Sequence, residues 1–340
     1  MRRSIRTIII PLCVFVFISC PVWDLAQPKP SMRNEDRFRI SEAMKISRLF
    51  GEQIWKGLDK APFALILVTD SLEFLINHPT PTQDFLFLKN DSLFPLPVYY
   101  RKAVFDKHFL ATFPAVNGVN TIVVGTPENT GLISPVWIIT VLHEHFHQFV
   151  NSSPGYFDSV NQLDLSGGDK TGMWMLQYPF PYSDSTVNYF YRLYSRSLQN
   201  ALFSAGKDSF ALHVKSSAAA RKQVQQRLRP ADYKYFSFQV WQEGIARYTE
   251  YKFLELLKEY VPSKGVASLP DFIPFETYRT LFFKAHSSRI AGWMLDEHAR
   301  ECFYDIGLGE GLLLDQVNPN WRDQYLQERF YVERYSDKLR

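Results

Sequence analysis

Residues 143–147 read His-Glu-His-Phe-His. Histidines four apart on an α-helix are offset by about 40° and one turn, so their rings share a face. Two imidazoles so placed can hold one zinc ion. Glu144 lies about 100° round from His143, where it can reach a metal-bound water. His145 points about 200° from His143, into the apolar side, and reads as a hydrogen-bonded core histidine. The competing reading of the whole segment is a group of helix histidines with no metal.

Two histidines leave a zinc site one protein ligand short. The position six after His147 is Ser153, which excludes a histidine or aspartate ligand there. A glutamate on a second helix is the remaining arrangement. Trp241-Gln-Glu-Gly-Ile-Ala-Arg-Tyr-Thr-Glu250 offers Glu243, followed by Gly244 and Ala246. Small residues there are expected to bring this helix close to the zinc helix. Glu250 lies seven residues on, about 20° from Glu243 and two turns along. It either takes a hydrogen bond from the far nitrogen of a ligand histidine or is a solvated helix glutamate.

With these two segments quoted, VLHEHFHQF and WQEGIARYTE, the chain resembles the gluzincin zinc metallopeptidases, most of all the aminopeptidase N type. That family carries HExxH, then Glu-Gly-x-Ala with the third ligand, then a catalytic tyrosine in a Tyr-x-x-Gly segment. Here Tyr304-Asp-Ile-Gly307 follows, 61 residues past Glu243. The resemblance covers roughly 134–150 and 236–315, under a third of the chain. It implies peptide-bond hydrolysis and a thermolysin-like architecture. It also implies Zn2+ held by His143, His147 and Glu243. Glu144 would act as general base, and Tyr304 would donate to the oxyanion. Tyr248 is a second donor candidate, and Glu250 a second-sphere partner. Two departures stand out. Ninety-five residues separate His147 from Glu243, far more than in the family, which implies a cap or wall over the site. The Gly-x-Met-Glu-Asn segment that binds a substrate's free amine is missing, so aminopeptidase specificity does not carry over.

Other elements must hold these residues. Ser134-Pro135 marks a helix start, with serine as N-cap, running to about Val150. Upstream, a helix is expected from Ser41 to Leu58, with Ser41 as N-cap. Short strands follow at Phe63–Val68, Leu72–Ile76, Asp84–Leu88 and Pro97–Tyr100. Phe113–Val116 and Thr121–Gly125 flank Asn117-Gly118, a hairpin signal. The resemblance implies that the strand Thr121–Gly125, just before the zinc helix, is an edge that pairs with extended substrate. Residues 151–185 are rich in Gly, Pro, Ser and Asp and read as irregular. Helices are expected at Thr186–Ala205, Ser216–Arg229 and Ala231–Tyr260, with two or three more beyond. The fold class is therefore α+β: a mostly antiparallel sheet lobe over 31–130, packed on a helical zinc-binding lobe over 131–340, with an insertion at 151–230.

The chain has 340 residues, 46% of them apolar and 21% charged, enough to bury a core. Its formal charge is +3, and Arg2, Arg3 and Arg6 supply all of it, so no nucleic-acid partner is expected. Those arginines precede an apolar run, Ile8 to Ile18, which has signal-peptide form within residues 1–26. One exit is a lipobox-like Ser19-Cys20, giving a membrane-anchored lipoprotein. The other is after Ala26, and an uncleaved anchor is the third reading. All three point to the bacterial cell envelope or periplasm. Cys302 has no CxxC partner and reads as a core residue. The expected partner is a peptide or protein substrate. One alternative is a non-catalytic envelope lipoprotein that keeps the metallopeptidase fold as a binding module. Another is an adhesin or carbohydrate-binding surface protein whose groove is lined by aromatics; Trp174, Tyr178, Phe180 and Tyr182 either serve that or simply pack.

Overall fold

Leu65-Ile-Leu-Val68 is buried on both faces, and the sheet is built outward from it. The computed structural model describes residues 30–337; the expected export segment, with Cys20, lies outside them. Among the described residues six strands follow in chain order: β1 Leu65–Val68, β2 Leu72–Ile76, β3 Leu86–Asn90, β4 Pro97–Lys102, β5 Leu110–Val116 and β6 Val119–Gly125. They form one sheet in the order β3-β4-β2-β1-β6-β5. Every pairing is antiparallel except β1 with β6, which is parallel. The hairpin expected at Asn117-Gly118 joins β5 to β6, with both residues at positive φ. β6 is paired on both sides, so the expectation that Thr121–Gly125 is an edge is corrected: β5 is the edge strand on that side.

Side chains alternate across the sheet. Leu65, Leu67, Phe74, Ile76, Val98, Ile122 and Val124 join the main core, which includes the helices. Ile66, Val68, Leu75 and Val123 face the other way, into a smaller cluster with Phe85 and Val116.

The long helices are α1 Asn34–Ile54, α2 Ser134–Asn151, α3 Ser185–Phe203, α4 Phe210–Arg227, α5 Pro230–Gln239, α6 Ile245–Leu256, α7 Phe275–Gly292 and α8 Glu301–Val317. α1 starts seven residues before the expected Ser41 cap, because Glu35 and Asp36 open its first turn and Arg33 pairs with Asp36. α2 takes Ser134 as its first residue, not its cap; the Ser134 amide and hydroxyl both donate to Asp271. The long helix expected from Ala231 to Tyr260 is interrupted. A π-helical turn, Val240–Gly244, joins α5 to α6, and α6 ends at Leu256, short of Tyr260. In the segment 151–230, α3 and α4 pack on each other, preceded by short helices at Tyr156–Asn161 and Trp174–Gln177.

The molecule is α+β. The boundary expected near 130 does not divide it: the described residues from Met32 onward are one compact unit, and one core holds Leu65 and Ile122 of the sheet with Trp137, Phe146 and Tyr248 of the helices. Four side-chain bonds, made by three residues, strap α2 to the sheet. Trp137 Nε1 donates to the Gly125 carbonyl at 2.8 Å. Gln148 Nε2 reaches the carbonyls of Ala64 and Asn120 at 3.0 and 2.7 Å. Thr112 Oγ1 of β5 donates to the Glu144 carbonyl at 2.8 Å. No helix among the described residues is long and apolar enough to cross a membrane.

Candidate metal centre

α2 is apolar on most of its surface, so burial of that surface fixes its rotation and points its polar stripe toward α6. His143 and His147 lie on that stripe, with their Nε2 atoms 3.0 Å apart. Glu243 enters from the π turn. Its Oε2 lies 3.3 Å from His147 Nε2 and 3.5 Å from His143 Nε2. A tetrahedral ion with bonds of about 2.0–2.1 Å has donors about 3.3 Å apart, so this triangle has the size of one zinc face. Glu144 is 6% exposed, and its Oε2 is buried with no hydrogen-bond partner. A buried acceptor left open beside three converging donors is what a metal centre with a catalytic base requires.

The surrounding bonds orient the ligands. Glu250 Oε1 lies 2.5 Å from His143 Nδ1, and its Oε2 accepts from Arg247 Nη1 at 2.8 Å. A carboxylate only accepts, so Nδ1 carries the proton and Nε2 is the atom left to ligate a metal. Glu250 is therefore buried against the ligand histidine and is not solvated. His147 Nδ1 meets the Gln242 amide at 3.3 Å, and Gln242 Oε1 accepts from Tyr156 at 2.8 Å. For His147 Nε2 to ligate a metal, Nδ1 must bear hydrogen, and the amide then turns its oxygen to the ring. Gln242 and Tyr156 are absent from the sequence reading. The π turn brings two consecutive residues, Gln242 and Glu243, to the same pair of rings, and nothing in helical periodicity signals it.

Tyr304, early in α8, stacks on His143 with ring centroids 6.3 Å apart and planes 13° from parallel. Its oxygen accepts from Arg300 Nη1 at 2.9 Å. Burial, and then the Glu243 charge beside it, push the hydroxyl well above its ordinary pKa, so it stays a proton donor. Tyr248 is not brought to the triangle. Its hydroxyl donates to Asp315 and accepts from Arg322, both at 2.9 Å, beneath Trp321. Gly244 does not serve a close approach to α2. A Cβ there would meet Cα of Gly307 at 2.5 Å, so the glycine lets the π turn cross α8 at backbone contact. His145 is buried, stacked on Phe63 and bonded to Gln148, and burial lowers its pKa to about 4. Cys302 is buried with a free thiol. The aromatic segment 173–182 packs on α5 and α8: Tyr178 donates to Asp232 and stacks on Tyr235, and Phe180 and Tyr182 pack on Phe303, next to Tyr304.

Burial opposes charge on His143, but hydrogen bonds to Glu243 and Glu250 outweigh it and raise its pKa. Burial alone would raise Glu243; the His147 charge and bonds to both histidines instead hold it well below the usual carboxylate range. The metal-free triangle therefore keeps an extra proton at neutral pH, which a metal must displace. Zinc uptake is expected to release protons and to tighten as pH rises toward the raised histidine value. Calorimetric titration in buffers of different ionisation enthalpy checks this. Uptake with no proton release would mean the triangle is not the binding site.

Compared with family models, curated proteins and solved structures, the chain matches none.

Proposed function

We propose that this protein is a zinc-dependent peptide hydrolase of the gluzincin type, with a thermolysin-like arrangement of sheet and helices around the metal. The observation that carries the reading is the triangle of His143, His147 and Glu243, sized for zinc and set beside the unpartnered carboxylate of Glu144. A zinc ion held there supplies Lewis acidity, lowering the pKa of water and polarising a carbonyl. Glu144 takes the proton of the attacking water and passes it to the leaving amine. Tyr304, whose oxygen accepts from Arg300 and whose hydroxyl faces Glu243, turns its proton to the developing oxyanion. Glu250 holds His143 in the ligating tautomer, and Gln242 holds His147 in it once its amide oxygen is turned to the ring. β5 supports a place for extended substrate, since it is an edge strand bonded through Thr112 to the backbone of Glu144.

Metal analysis of purified protein, run beside His143→Ala, tests the reading. About one zinc per chain is expected in the wild type and a small fraction of that in the variant, together with hydrolysis of a mixed peptide library by the wild type alone. Zinc with no hydrolysis of any peptide would favour a binding module that keeps the metallopeptidase fold. Absence of zinc would remove both.

A further inference from the structure

Arg300 immediately precedes α8, and its side chain is 28% exposed. One of its N–H groups is spent on Tyr304. The same Nη1 stands 4.0 Å from Glu243 Oε1, whose partner oxygen belongs to the ligand triangle. Among the described residues, Nε and Nη2 make no hydrogen bond. The other guanidinium at this end of the site, Arg247, gives Nη1 to Glu250 and has its Nε buried, out of reach of a ligand in solution. Both flank the Tyr304 ring, at 5.4 and 5.6 Å from its centroid. The carboxylates nearby already have their own partners: Glu250 has Arg247 and His143, and Glu243 has the two imidazoles. Arg300 thus presents the unspent part of a planar donor fork, which matches the two oxygens of a carboxylate.

We propose that Arg300 is a carboxylate receptor at the edge of the metal centre, so that the substrate class is peptides carrying a carboxylate close to the scissile bond. The inference rests on the metallopeptidase reading. Since Arg300 Nη1 stands 4.0 Å from Glu243 Oε1, an anion on this guanidinium would lie within about two residues of extended chain of the triangle, at about 3.3–3.6 Å per residue. The anion is either a C-terminal carboxylate or an Asp or Glu side chain, and the guanidinium recognises the same chemistry in both. Specificity for a free amino group, which the sequence gives no segment to bind, is replaced here by specificity for a free carboxylate.

The test uses the zinc-loaded full chain and needs no turnover. Two probes are titrated by calorimetry: succinic monohydroxamate, which offers a metal-binding hydroxamate and a free carboxylate, and its primary amide. The acid is expected to bind at least about tenfold more tightly, the scale of a charge-assisted hydrogen bond. In Arg300→Gln that advantage disappears while affinity for the amide persists. Equal binding of the two probes by the wild type, or an advantage retained in Arg300→Gln, overturns the proposal. Peptide pairs then identify the source of the carboxylate. Preference for a free over an amidated C-terminus marks a C-terminal receptor, and preference for Glu over Gln near the bond marks a side-chain receptor. Equal loss on all peptides in Arg300→Gln means the arginine only positions Tyr304, and also overturns the proposal. A protein that holds zinc and hydrolyses peptides without carboxylate preference loses the receptor but keeps the peptidase reading. A protein that never holds zinc loses both.

Discussion

Glu144→Gln is expected to keep its zinc and its fold and to lose peptide hydrolysis by about 10²–10⁴-fold, the usual contribution of a positioned base. The amide has nearly the shape of the carboxylate, so the buried space it fills is unchanged. Glu144 is outside the ligand triangle, so zinc content should not fall. What changes is that the open Oε2 acceptor becomes an amide that cannot take a proton from water. Turnover measured beside zinc content and thermal unfolding separates this from a folding defect. A variant with normal turnover would remove Glu144 from the reaction.

The second large effect concerns a residue with no side chain. Gly→Ala inside a helix ordinarily stabilises by about 0.5–1 kcal/mol, because alanine has less conformational freedom to lose. Gly307→Ala is expected to do the opposite and cost about 3 kcal/mol, the upper end for overpacking. The added methyl would meet the Val240 carbonyl at 2.6 Å and the Gly244 backbone besides, and backbone cannot rotate away. Zinc affinity should fall with stability, since the displaced turn carries Gln242 and Glu243. Gly292→Ala is the control: a Cβ there meets nothing within 4 Å, and the change should be neutral or mildly stabilising. Calorimetric unfolding of the two variants decides the sign, and a stabilised Gly307→Ala would mean α8 and the π turn do not touch.

Much of the local structure was legible because it depends on neighbouring residues. The i, i+4 pair at His143 and His147 needs only helical geometry, and Asn117-Gly118 needs only turn chemistry. Both appear at the expected residues. The identity of Glu243 as the third donor of the cluster was also accessible, through the Glu-Gly-x-Ala segment. What failed were questions of who lies beside whom. Whether Thr121–Gly125 is an edge depends on a parallel pairing with Leu65–Val68, some fifty residues earlier, and short apolar strands do not encode their partners. Gly244 looked like a contact with the zinc helix because a small residue announces close approach without naming the neighbour; the neighbour is Gly307. Tyr248 looked available because periodicity says nothing of Asp315 and Arg322, which occupy its hydroxyl. Gln242 escaped because the regular helical period puts it on a different face from Glu243, and only the wider π turn brings both to the rings.

The spacing of the donors along the chain has a kinetic meaning. His147 and Glu243 are 96 residues apart, and His143 and Glu250 are 107 apart. In an unfolded chain the HExxH segment is at best a two-toothed chelator, and the third tooth arrives only after a loop of that size has closed. Closing such a loop costs entropy that grows with the logarithm of its length, and the intervening α3 and α4 must dock before it is repaid. An ion that meets the chain early therefore binds weakly and leaves readily. One that meets it late is clamped between helices from distant parts of the sequence, and thereafter resists their separation like a crosslink. For the proposed centre, chain closure rather than ion capture would set the pace of assembly.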